Sequence, residues 1–242
     1  MGLTIHYSLR LATRSAAVAE RTVRDRQAAA THLAKRRGLG EVGPVIPLAE
    51  AGMHASRYVF VRRRGYLDSI DVHPAAGWCF SVDIGEGCEP ATFGLGLYPA
   101  FVADGARRRT GFGSAWTFGA FCKTQYASCA GADHLVRCHA AVIDLILLWK
   151  KAGVQITISD EAEYWPSRDP RLLLERTETI NRFTAALAGA TKDASEAAGS
   201  PPVRSPIFAH PRFEHLEAEG VAQHGDILAA LTRKPAAKPD PR

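Results

Sequence analysis

Leu3, Ile5, Tyr7, Leu9 and Leu11 alternate with Thr4, His6, Ser8 and Arg10 at the start of the chain, which is the period of a strand that buries one face. Three more alternating runs lie between Trp78 and Cys129. In the first, Trp78, Phe80, Val82 and Ile84 point one way, and Cys79, Ser81 and Asp83 the other. In the second, Phe93, Leu95 and Leu97 oppose Gly94, Gly96 and Tyr98. In the third, Trp116, Phe118, Ala120, Cys122, Thr124 and Tyr126 oppose Thr117, Gly119, Phe121, Lys123 and Gln125. If these runs pair, one sheet face is apolar and the other is a floor of glycines edged by Asp83, Tyr98, Lys123 and Gln125. Glycine weakens a strand, so glycines placed there point to something that approaches the backbone closely, a ligand or a packed helix.

Helical spacing appears three times. Val18, Thr22, Val23, Ala29, Ala30 and Leu33 follow possible caps at Thr13 or Ser15 and stop near Gly38. Leu135, His139, Val142, Ile143, Ile146 and Leu147 follow Asp133 as a candidate cap and end at Gly153. Leu173, Leu174, Thr177, Ile180, Phe183, Thr184 and Leu187 follow Asp169 and Pro170, a favourable cap and first helical residue. Short extended runs at Val45–Leu48, Tyr58–Val61 and Leu67–Val72, with Gly65 at a turn, predict a hairpin, and Val154, Ile156 and Ile158 predict a last strand.

This order predicts an α+β fold, a mostly antiparallel sheet with helices packed on one side, drawn as a ferredoxin-like variant with inserted hairpins. A single domain is expected over residues 1–192, a Ser/Ala/Gly/Pro linker over 193–206, a short docking segment over 207–233 and a disordered tail over 234–242.

The 242 residues are 46% hydrophobic and 23% charged, a balance that supports a sizeable core and argues against disorder. Ala140–Trp149 is interrupted by Asp144 and is short of the roughly 20 apolar residues of a membrane span. The alternating amino terminus does not read as a signal peptide. Cys79, Cys88, Cys122, Cys129 and Cys138 contain no CxxC pair, which suits reduced thiols in the cytoplasm. Residues 1–64 carry a net charge of +8 and the remainder −3, a mild pointer to an anionic partner.

Gly38–Gly43 spells the dinucleotide fingerprint GxGxxG. That chemistry needs a strand before and a helix after; here a helix precedes and Pro44 follows, so the stretch reads as a helix cap and turn. His134 and Cys138 share a helical face, and Cys122 or Cys129 would complete a zinc tetrahedron, but the spacing matches no strong signature and no metal or cofactor is expected. His139 reads as a satisfied core histidine, Cys88 as an accessible thiol opposed by Glu86 and Glu89. Asp160, Glu161 and Glu163 read as a solvated connection that Tyr164 and Trp165 pin down.

Asp83 and Glu86 with Lys123 form the strongest constellation, an acid/base pair or a ligand anchor, with Gly94, Gly96, Tyr98, Gly119 and Gln125 as the binding floor. The expected function is a cytoplasmic binding or regulatory module that takes a polar small molecule or protein segment on this floor. Two alternatives stand beside it. One is a small hydrolase or transferase with Asp83 or Glu86 as base and Lys123 as electrostatic stabiliser. The other is a nucleic-acid binder that uses Arg62–Arg64 and Arg107–Arg109.

Overall fold

The computed structural model describes residues 3–52, 56–63, 66–103, 105 and 107–232. Its centre is a six-stranded sheet of β1 (Thr4–Leu11), β2 (Ile46–Pro47), β5 (Ala76–Val82), β6 (Ala91–Leu97), β9 (Trp116–Lys123) and β10 (Gln155–Asp160), ordered β10-β1-β9-β6-β5-β2. Every neighbouring pair in it is antiparallel. Two hairpins stand off the sheet, β3 (Arg57–Arg63) with β4 (Tyr66–Val72), and β7 (Phe101–Ala103) with β8 (Arg107–Arg109). The α+β class read from the alternation is thus the class of the fold.

Register places the apolar residues of the central strands side by side. Tyr7 lies opposite Ala120, Leu9 opposite Phe118, Leu11 opposite Trp116, and Phe80 opposite Phe93. Helices α1 (Ala16–Arg37) and α2 (Ala132–Lys150) cover this face. Trp149 of α2 stacks on Phe80 and Phe93 at centroid distances of 6.3 and 6.4 Å, and Tyr7 stacks on Phe93 at 5.2 Å. Local signals set the helix ends. The Ser15 side chain accepts the Val18 amide, and Gly38, with φ of 62°, closes α1 in the left-handed conformation that a residue with Cβ resists. The GxGxxG stretch therefore starts at a helix C-cap, as its context requires. Gly131, not Asp133, holds the cap position of α2, with φ of 104°.

Helix α3 (Pro170–Ala197) begins at Asp169, whose carboxylate accepts the Arg171 amide at 2.9 Å. It runs on through the first residues of the stretch read as a linker, because Ala194, Glu196 and Ala197 are good helix formers. Helix α4 (Phe213–Thr232) lies against it, burying Leu216 beside Ile207, Ala185 and Ala188. Gly220 permits this approach: a Cβ there would fall 2.1 Å from the Arg182 carbonyl oxygen. The expected tail, residues 234–242, lies outside the described residues.

Ile207 and Leu216 are fully buried, and each such side chain contributes about 1.5–3 kcal/mol on burial. A chain ending at Pro206 should therefore melt well below one ending at Thr232. Equal melting temperatures in differential scanning calorimetry would show that α4 adds nothing to the body.

Candidate functional site

The second sheet face is polar, and pairing sorts it into rows. Ser159, His6 and Phe121 lie side by side across β10, β1 and β9, and Thr157, Ser8 and Gly119 make the next row. Among the described residues, none from a helix lines the space above these rows. They floor an open groove of about 460 Å³, walled by Ser56, Arg57 and Tyr58 where hairpin β3–β4 leaves the body. The His6 and Phe121 rings lie 5.9 Å apart, and Phe121 and Tyr58 are exposed.

Arg57 is the cation of this groove. Its guanidinium lies 4.9 Å from the Phe112 ring centroid and 5.9 Å from that of Tyr98, so two aromatic faces fix its position. Its Nη1 sits directly over Gly119, where a Cβ would come within 2.6 Å of it. That nitrogen is buried and has no hydrogen-bond partner among the described residues. A buried donor without an acceptor costs about 1–3 kcal/mol, more when charged, which an acceptor in the groove would offset. Gly119 is the one residue type that lets the guanidinium reach the floor.

Gly94 and Gly96 lie elsewhere. A Cβ on Gly96 would fall 2.6 Å from Leu48 and 2.9 Å from the Tyr98 ring, and one on Gly94 would fall 2.5 Å from the Trp78 carbonyl oxygen. Leu48, on a 3-10 turn at Leu48–Glu50, and Tyr98 are buried against Gly96, and Cys79 of the paired strand crowds Gly94. Burial pushes the Tyr98 phenol up to about 12, against a smaller opposing pull from Arg57. The glycine floor is thus divided: Gly94, Gly96 and Tyr98 are packed, while Gly119 opens into the groove.

The charged candidates cluster at the far end of β5 and β9. Lys123 Nζ lies 3.4 Å from Glu89, both about 44% exposed, a pair worth at most about 1 kcal/mol. Asp83 is exposed and accepts the Gly85 amide at 3.0 Å, and Glu86 offers its backbone carbonyl to His134 at 2.9 Å. Asp83 and Lys123 are not brought together. Strand β9 stops at Lys123, so Gln125 does not continue the polar face. It begins a 3-10 turn and is buried, taking the Leu3 amide on Oε1 at 3.2 Å and donating to Asn181 at 3.0 Å. Gln125 is the peg between the sheet and α3.

One constellation went unread in the sequence. His139 is fully buried, with Nδ1 2.8 Å from the Thr124 hydroxyl and Nε2 3.2 Å from Asp160. Asp160 also accepts the Ala162 and Trp165 amides, each at 2.9 Å. Burial raises the Asp160 carboxyl, but His139 and these two amides together outweigh it and hold the group below its ordinary range. The Tyr164 ring meets His139 edge-on at 5.5 Å. The chain Thr124–His139–Asp160 has the donors of a catalytic relay without an exposed end, so it ties α2, β10 and the loop after β10 together.

Among the described residues, no group of three or more His, Cys, Asp or Glu side chains is placed to hold a metal ion, and no helix is long and apolar enough to cross a membrane. No protein-family model matches the chain, nor does any curated protein or solved structure.

Proposed function

We propose that this protein is a binding module whose ligand lies in the groove over β10, β1 and β9. The single observation that carries this reading is Arg57 Nη1, a buried charged donor held over Gly119 without an acceptor among the described residues. The ligand is polar and carries a carboxylate or phosphate for Arg57. The Ser8, Thr157 and Ser159 hydroxyls supply further hydrogen bonds, and Phe121 and Tyr58 offer surface to an apolar or aromatic body. Groove binding is preferred to catalysis at Asp83, Glu86 and Lys123 because Lys123 is engaged by Glu89 and none of these three residues lines the groove. The five free thiols fit a reducing, cytoplasmic setting.

Calorimetric titration with 2-naphthoate and phenyl phosphate tests the proposal. A charge-assisted hydrogen bond contributes about 1.5–3 kcal/mol, so Arg57→Met should weaken binding roughly tenfold to a hundredfold. Equal affinity of Arg57→Met and the parent protein would remove the reading.

A second reading rests on β8, where Arg107, Arg108 and Arg109 are all exposed and Arg107 lies 3.8 Å over the Phe101 ring. A single-stranded nucleic acid would meet both charge and a stacking surface there. Its mark would be affinity that falls steeply with salt and is lost when the three arginines become alanine.

A further inference from the structure

The two edges of the central sheet are built differently. Strand β2 closes one edge with two residues, of which Pro47 has no N–H to offer. Strand β10 closes the other with six, paired to β1 without a bulge and free of charge, proline and glycine from Gln155 to Ser159. Such an edge lacks the features that keep strands of separate molecules apart.

The phase of the pairing fixes which backbone groups point outward. The Glu161 amide donates to the Thr4 carbonyl oxygen at 3.2 Å, so Gln155, Thr157 and Ser159 turn their N–H and C=O groups toward β1, while Ile156, Ile158 and Asp160 turn theirs away. At the ends of this outward row the groups are already engaged. The Val154 amide donates to the Trp149 carbonyl oxygen at 3.3 Å, and the Asp160 carbonyl oxygen accepts the Glu163 amide at 3.2 Å. Between them, no described residue is hydrogen-bonded to the outward backbone of Ile156 or Ile158. Both isoleucines are half-buried, and Gln155, Thr157 and Ser159 are exposed.

We propose that two copies of this chain pair edge to edge through β10, about a two-fold axis at Thr157. The two free residues between engaged ones set the register: Ile156 opposes the partner's Ile158 and Ile158 the partner's Ile156, and every outward N–H and C=O of the four finds a mate. The same pairs bring the remaining apolar surface of the isoleucines together. On the polar side Thr157 meets the partner's Thr157 as a non-hydrogen-bonded pair, a favourable cross-strand match. Charge agrees with this direction. Exposed Lys150 and Lys151 precede the strand and exposed Glu161 and Glu163 follow it, so an antiparallel pair sets the basic end of one strand beside the acidic end of the other. A parallel pair would set like beside like. Both grooves then open on the same side, and the row of Gly119, Ser8 and Thr157 runs on into the partner's row. The pairing does not depend on what the groove holds. Two short strands bury little surface, so this contact belongs with exchanging interfaces and not with the stable ones of about 1,200–2,000 Å².

Sedimentation velocity on the full chain over a concentration series, joined to disulfide trapping, tests the pairing. The parent protein is expected to pass reversibly from monomer to dimer as concentration rises. Thr157→Lys, at an exposed position, sets like charges face to face on the axis and should weaken the dimer by about fivefold. In a glutathione redox buffer Thr157→Cys should link to its own copy, because non-hydrogen-bonded partners stand about 4.5 Å apart at Cα, within disulfide reach. Gln155→Cys, whose two copies would lie about 13 Å apart across the axis, should stay at the parent's background of linking. Three results each overturn the proposal. They are a chain that stays monomeric at millimolar concentration, whether or not its edge takes a foreign strand, a dimer that Thr157→Lys leaves equally tight, and linking of Gln155→Cys as fast as that of Thr157→Cys.

Discussion

Asp160→Ala is expected to destabilise the fold by about 3–5 kcal/mol at neutral pH, the usual cost of removing one partner from a buried charged network. The substitution leaves three donors facing a cavity, the Ala162 and Trp165 amides and His139 Nε2. His139→Leu should cost a similar amount by stranding the carboxylate. The pH dependence has a definite sign. The folded protein holds the Asp160 carboxyl below its ordinary value, so its stabilisation is fully present above the unfolded pKa of about 3.9 and is lost as pH falls through the lower folded value. Urea unfolding at pH 7 and at pH 3 should show the gap between parent and Asp160→Ala shrinking in acid. A gap that grows in acid, or a variant as stable as the parent at pH 7, would mean that the pair does not support the fold.

Gly94→Val should unfold or severely destabilise the protein, while Gly119→Ala should leave its melting temperature nearly unchanged. The difference lies in what each new Cβ meets. At Gly94 it meets the Trp78 carbonyl oxygen at 2.5 Å and the Cys79 backbone at 3.0 Å, atoms of the paired strand that cannot turn aside. Overpacking of this kind costs about 1–3 kcal/mol even where neighbours can move, and here the sheet itself must shift. At Gly119 the nearest atom is Arg57 Nη1, the end of a long side chain that can swing out. Gly119→Ala should therefore weaken anion binding while the fold stays intact. Equal thermal melts for the two variants would show that the division of the glycine floor is misplaced.

Most of the architecture was legible because it is written locally. Alternation in Leu3–Leu11 and in the three central runs places the apolar face, and Ser15, Gly38 and Asp169 with Pro170 mark helix ends through contacts within a few residues. The end of β9 was not legible, because Gln125 keeps the alternation but turns inward to reach Leu3 and Asn181, 122 and 56 residues away in the chain. Part of the cover on the glycine floor is equally non-local: Leu48 reaches Gly96 and Arg57 reaches Gly119 from separate elements, whereas Tyr98 follows Gly96 by two residues. Asp160 read as part of a solvated connection because its partner, His139, lies on a different element. Arg57 carried no signal of its own. It matters through Gly119, whose oddity in a strand was visible, though not what occupied the space above it.

Chemical-shift mapping with 2-naphthoate reports where a ligand sits as well as whether one binds. Saturable shifts are expected at the amides of Ser8, Gly119, Phe121 and Thr157, none at the packed Gly94 and Gly96, and loss of those shifts in Arg57→Met with the rest of the spectrum unchanged. Shifts centred on Asp83, Glu86 and Lys123, or a titration that Arg57→Met leaves unaltered, would contradict binding in the groove.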